Sequence, residues 1–158
     1  MTHFNNLFLF NPTCEMAVAN GEVSWQPSVA LAQFERDLQF LPLLFAASND
    51  VLVCSQQPSD EFFNSIDWLP GSFCSFDSLD NLNLMADSHI LNIDQLNPWG
   101  WSPSMHHRLR KLKSQTSNDF QLSPMFNWNI KHKELYSRVG ALNILKSVLR
   151  IGGQTQQI

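Results

Sequence analysis

The sequence predicts an open α/β fold with a mainly parallel sheet of about four strands, and three observations carry that expectation. Two short apolar runs, Leu7-Phe8-Leu9-Phe10 and Val51-Leu52-Val53-Cys54, stop abruptly in polar residues, as buried parallel strands do where they empty into loops. Between them Leu31, Phe34, Leu38, Leu41 and Phe45 recur at spacings of three and four, which is a helical stripe. Strand, helix, strand from Leu7 to Cys54 is a βαβ unit, whose crossover is nearly always right-handed. Finally, 158 residues with 44% apolar content, twelve Phe and five Trp suffice for one core that buries roughly two thirds of the unfolded surface.

Asn11-Pro12 closes the first strand and a loop runs through Gly21. The helix expected over 28–45 contains Pro42, which removes an amide donor and crowds the carbonyl four residues back. Asn49-Asp50 introduces the second strand and a polar turn over 55–59 ends it. A short helix over 60–69, a weak third strand over 71–76 and a fourth strand over 89–93 follow. The helix over 102–113 has the best start signals: Ser102 as cap and Pro103 in the first turn. Trp101, Met105, Leu109 and Leu112 form its apolar face, opposite His106, His107, Arg108, Arg110, Lys111 and Lys113. Residues 114–129 are polar and read as a linker. A last helix over 130–151 carries Leu135, Val139, Leu142, Leu145 and Leu149 on one side and stops at Gly152-Gly153. The chain thus divides into an α/β domain over 1–113, the linker, and a C-terminal helical segment over 130–158 that packs on the same domain or leads to a further one.

Charge is unevenly distributed. Residues 1–100 hold twelve acids and one base, Arg36, whereas residues 101–158 hold nine bases and two acids. Such a split points to the halves pairing, to a basic face meeting an anion, or to a basic segment meeting another domain. A pI near 5.6 and basic residues confined to one helix face argue against nucleic acid. No run reaches the length of a membrane span and no signal peptide is recognisable. With three cysteines that show no CxxC spacing, the expectation is a cytoplasmic protein with reduced thiols and no membrane contact.

If the first and fourth strands are neighbours, the loop over 11–20 and the segment Asn97-Pro98-Trp99-Gly100-Trp101 meet at the carboxyl edge of the sheet, where open α/β folds bind ligands. Asn11, Glu15 and Asn20 then supply polar groups, Trp99 and Trp101 aromatic walls, and Gly100 a close backbone approach. Arg108 and Arg110 are the candidate anion contacts. Neither GxGxxG nor GxxxxGK[ST] occurs, so no nucleotide cradle is written here. Cys14 before a helix invites a nucleophile reading, with no identifiable base. His106 and His107 are consecutive and point about 100° apart on a helix, so no metal site is expected.

The run Phe10-Asn11-Pro12-Thr13-Cys14-Glu15-Met16-Ala17-Val18-Ala19-Asn20-Gly21, with Pro98-Trp99-Gly100-Trp101-Ser102-Pro103 downstream, resembles a family of bacterial proteins, common in Bacteroidetes, that begin with a pre-ATP-grasp-like domain. Its pattern is an FNP segment, an acid, an A-[LV]-A run and then PWGW before a basic helix. The likeness covers residues 7–150. It implies a Rossmann-like three-layer αβα sandwich that forms the N-terminal, substrate-side domain of an ATP-grasp-like ligase. ATP and Mg would then belong to a downstream domain, with no cofactor in this chain and no activity of its own. The chain would be a domain fragment. The alternatives are a stand-alone binding or interaction module, self-associating through its C-terminal helix, and a small enzyme using Cys14.

Overall fold

The structure, a computed structural model, describes residues 2–65 and 75–154. Strand β1 (Thr2–Leu9) lies between β2 (Val51–Val53) and β4 (Leu91–Pro98), and β3 (Ser75–Asp77) flanks β2. All pairings are parallel, with Leu7 opposite both Val51 and Leu96. Helices cover both faces of the sheet, giving the Rossmann-like three-layer arrangement.

The two faces differ in how they are filled. On one, Leu7, Leu9, Val51 and Val53 pack with Leu82 and Ala86 of α4 (Leu79–Asp87). Met105 of α5 (Pro103–Arg108), Leu109, and Leu112 of α6 (Arg110–Lys113) complete that core. On the other, Leu52 and Leu43 gather Phe8, Phe40, Phe62 and Phe76, with Phe62 supplied by α3 (Asp60–Asn64). Fully burying a Leu or Val contributes about 1.5–3 kcal/mol, so the first, larger cluster dominates the stability.

Strict alternation fails at one level of the sheet. Phe4 and Leu7 pack in the same cluster, and so do Ile93 and Leu96, so both strands slip by one residue together and keep their register. At that level the Asp50 carboxyl, only 1% exposed, accepts from the Asn6 N–H at 3.0 Å, from Asn6 Nδ2 at 2.8 Å and from the Ala47 N–H at 2.7 Å. A buried carboxyl group is tolerated because each oxygen finds a donor.

Several elements differ from the sequence expectation. The helix predicted over 28–45 is α2 (Val29–Asp37), capped by Ser28 and ended at Leu38, four residues before Pro42, then a 3-10 turn over Leu41–Leu44. Its stripe is not buried: Phe34, Leu41 and Phe45 are exposed. The fourth strand begins at Leu91 and runs to Pro98, past the predicted 89–93, after His89 turns the chain at φ 53°. The helix over 102–113 starts as predicted, with Ser102 Oγ accepting from the Met105 N–H at 3.2 Å, but breaks at Leu109. The weak third strand and the helix over 60–69 fall partly outside the described residues.

The chain forms two compact units, Met1–Asn127 and Trp128–Ile158. Most of the stretch predicted as a linker belongs to the first unit. Thr116 bridges to Ile93 of β4 and Phe120 of α7 (Asn118–Gln121) enters the core. In the second unit the predicted 130–151 helix is two, α8 (Lys131–Leu135) and α9 (Arg138–Gln154). The corner between them is held by the Gly140 N–H donating to Ser137 Oγ at 2.9 Å. A Cβ on Gly140 would overlap the Glu134 carbonyl, so the close approach requires glycine.

Candidate functional site

The carboxyl ends of β1 and β4 are tied together by one side chain. Buried Asn11 donates through Nδ2 to the Gly100 carbonyl at 2.7 Å and accepts the Gly100 N–H on Oδ1 at 3.2 Å. The Trp99 N–H continues the sheet by donating to the Leu9 carbonyl at 2.8 Å. The two loops predicted to meet do meet, and the segment over 99–104 projects between two depressions.

The first depression lies toward α1 (Cys14–Asn20). It is lined by Asn11, Thr13, Cys14, Glu35, Ser102, Ser104 and Arg108 among others, and its free volume is about 20 Å³, the scale of a single water molecule. Most of its polar groups already satisfy one another. Thr13 donates its hydroxyl to Glu35, and Ser102 and Ser104 share a hydrogen bond at 3.1 Å. Burial, followed by the adjacent Glu15 carboxylate, pushes the Cys14 thiol above its ordinary value. That is the reverse of the thiolate stabilisation a nucleophilic cysteine needs.

The second depression lies on the far side of β4. Residues 115–117 pair with β4 only around Ile93, through Ile93 N–H to the Gln115 carbonyl and Ser117 N–H to the Ile93 carbonyl. Beyond that point Gln95, Leu96 and Asn97 line a cavity of about 250 Å³, completed by Trp101, Asp119, Phe120, Ser123 and Met125. Trp101 is held from behind: the His106 ring lies 4.4 Å from it, centroid to centroid, and Lys113 Nζ lies 5.7 Å from its centroid. Lys113 in turn contacts His106 Nδ1 at 2.7 Å and donates to the Phe126 carbonyl, and burial lowers its pKa. His106 is therefore a buried packing residue and not part of the solvated helix face that the sequence predicts.

The predicted site residues separate into groups. Asn11 and Gly100 form the clamp, Trp101 walls the larger cavity and Arg108 borders the smaller one. Trp99 is 54% exposed and packs edge-on against Phe10 at 5.1 Å. Glu15 is exposed on α1, and Asn20 accepts the Glu22 N–H at 3.1 Å as a local turn. Arg110 donates to the His107 carbonyl at 2.8 Å, a local contact within its helix region. Neither cavity includes Glu15, Asn20, Trp99 or Arg110 in its lining.

Sequence reasoning placed Asn97 in the edge segment without giving it a role, and missed Asp119, Phe120 and Ser123. Asn97 was visible as the residue before Pro98-Trp99; the other three sit in the segment read as a linker, where the apolar Phe120 was the one available signal. Among the described residues no three His, Cys, Asp or Glu side chains converge on a metal position, and no helix is long and apolar enough to cross a membrane. Compared with protein-family models, curated proteins and solved structures, the chain matches none.

Proposed function

We propose that this chain is a cytoplasmic small-molecule binding domain, the substrate-side part of an ATP-grasp-like ligase, with its ligand in the cavity beside Trp101. The observation that carries this reading is the position of that cavity, at the carboxyl end of β4 with two aromatic walls and a few polar groups. Open α/β sheets bind ligands at that edge, and such linings are typical of small-molecule sites. The ligase assignment rests on the FNP and PWGW segments.

The described residues do not fit a magnesium nucleoside triphosphate. No acidic cluster is available for the ion, and neither loop at the sheet edge is Gly-rich. No step is therefore assigned to ATP in this chain, and the expected role is to hold a substrate and exclude water from it. Turnover of ATP by the isolated chain would overturn that division of labour.

The test is a fragment screen by amide and indole N–H chemical shifts of the labelled chain. Shifts gathered at residues 95–101 and 119–125 support the site. Hits confined to other surfaces refute it.

A second reading concerns the second unit. Val139, Leu142, Leu145, Val148 and Leu149 of α9 are exposed, and the only charged residues of that helix are Arg138, Lys146 and Arg150. Like charge disfavours pairing of two copies, so the occupant assigned to this face is an acidic protein surface such as a downstream domain. Sedimentation velocity decides it: a monomer agrees, and a dimer dissolved by Leu145→Asp replaces the acidic partner with a second copy.

A further inference from the structure

We infer that the cavity beside Trp101 takes a planar, non-anionic ligand that donates N–H groups, of the amidine or amino-heterocycle class. The inference rests on the binding-site reading above and adds the ligand's chemistry. It follows from the charge and the flat walls of the lining, with the Asn97 carboxamide oriented by a chain of hydrogen bonds.

The chain starts at Asp50. Its carboxyl accepts from Asn6 Nδ2 at 2.8 Å, so the other end of the Asn6 carboxamide is an acceptor. Asn6 Oδ1 then accepts from Asn97 Nδ2 at 2.8 Å. One N–H of Asn97 is thereby committed to Asn6, which leaves Asn97, a residue of the cavity lining, with its carbonyl oxygen and one further N–H to offer. An orientation of asparagine that is otherwise ambiguous is settled across β1 and β4 by one carboxyl group just before β2, because each partner donates to the next.

Among the other polar lining groups the Gln95 carboxamide and the Ser123 hydroxyl can donate or accept, and the charge comes from Asp119. Asp119 adds a carboxylate, and among the described residues no lysine or arginine is part of the lining. Among the described residues Ser123 Oγ is buried without a hydrogen-bond partner, and a buried hydroxyl of that kind is normally met by a ligand or an ordered water. Trp101 and Phe120, centroids 6.3 Å apart and tilted by 32°, supply flat apolar surface. A carboxylate beside aromatic faces favours flat groups with N–H edges and disfavours carboxylates and phosphates, which would meet a negative charge with no cation in the lining to balance it.

Benzamidine and benzoate share their ring and plane but present opposite edges, N–H donors against oxygen acceptors. Titrated into the labelled chain, benzamidine is expected to shift the Trp101 indole and residues 95–97 and 119–123, and benzoate to leave them unmoved. Asp119→Asn, an exposed change, is expected to weaken benzamidine about tenfold, the loss of one charge-assisted hydrogen bond. Benzoate binding there as well as benzamidine, or silence of both probes at these residues, overturns the inferred chemistry while leaving the site. A wider fragment set that also leaves residues 95–101 and 119–125 unmoved overturns the site itself.

Discussion

The two depressions on either side of the 99–104 segment are built from similar side chains, yet they use them in opposite ways. Toward α1 the hydroxyls, carboxamide and carboxylate are paired with one another: Thr13 with Glu35, Ser102 with Ser104, Asn11 with Gly100. Beyond β4 the Ser123 hydroxyl has no partner among the described residues and the Asn97 carboxamide is engaged through one N–H. A group satisfied inside the fold stabilises the fold, whereas a buried group left unsatisfied costs about 1–3 kcal/mol. Polarity alone therefore does not mark a binding site; the state of its hydrogen bonds does.

Four measurements would break or sharpen that contrast. The largest effect is expected from Asp50→Ala, which leaves three N–H donors of Asn6 and Ala47 without their acceptor. A loss of about 4 kcal/mol in denaturant unfolding is expected, and a loss below ~1 kcal/mol would mean that the relay is not structural. Asn11→Ala comes next, at about 2 kcal/mol for two buried hydrogen bonds. A change in Trp99 fluorescence should accompany it, because the variant frees the segment that carries this residue.

The third concerns the thiols. Cys14 and Cys54 are buried, and burial is the first cause of the upward displacement of both, with Glu15 and Asp77 respectively adding to it. A folded-state value raised above the unfolded 9.0 gives stability that is full below pH 9.0 and is lost as pH climbs toward the folded value. Unfolding midpoints of the native chain should fall over that window, and Cys14→Ala with Cys54→Ala should flatten the fall. An unchanged slope would show these thiols to be solvated. The smallest effect, and the sharpest test of the contrast, is Ser123→Ala. Removing an unpartnered hydroxyl should leave stability unchanged or raise it by up to about 1 kcal/mol. A loss of similar size would show that the hydroxyl is paired after all.

The central strand, the second strand and the capped helix start at Ser102 were legible because each is dictated by nearest neighbours: β-branched or aromatic runs, turn residues and an oxygen three residues before an amide. The meeting of residues 11 and 99–101 was legible too, since parallel order constrains which loops share an edge. What escaped notice depends on contacts distant in sequence. His106 lies among charged neighbours, yet Trp101 and Lys113 take it into the interior. Phe120 stands in a polar stretch that local pattern assigns to a linker, and β4 gives it a place in the core. Leu109 carries the spacing of a continuous helix but interrupts it, which no local signal announced. The cavity itself follows from residues 115–117 ceasing to pair with β4 after Ile93, a consequence of tertiary packing.

The clamp between Asn11 and Gly100 joins residues 89 positions apart, and this imposes an order on synthesis. At about 5–20 residues per second a ribosome needs roughly 5–20 s to make that interval. During that time the backbone edge of β1 that β4 will cover has no strand to pair with. A nascent chain halted before Pro98 would present that unpaired edge to its surroundings, with Leu7 and Leu9 still lacking the cover of Met105, Leu109 and Leu112. Ribosome pausing upstream of that point should therefore raise the dependence of this protein on chaperones, whereas pausing after residue 127 should not.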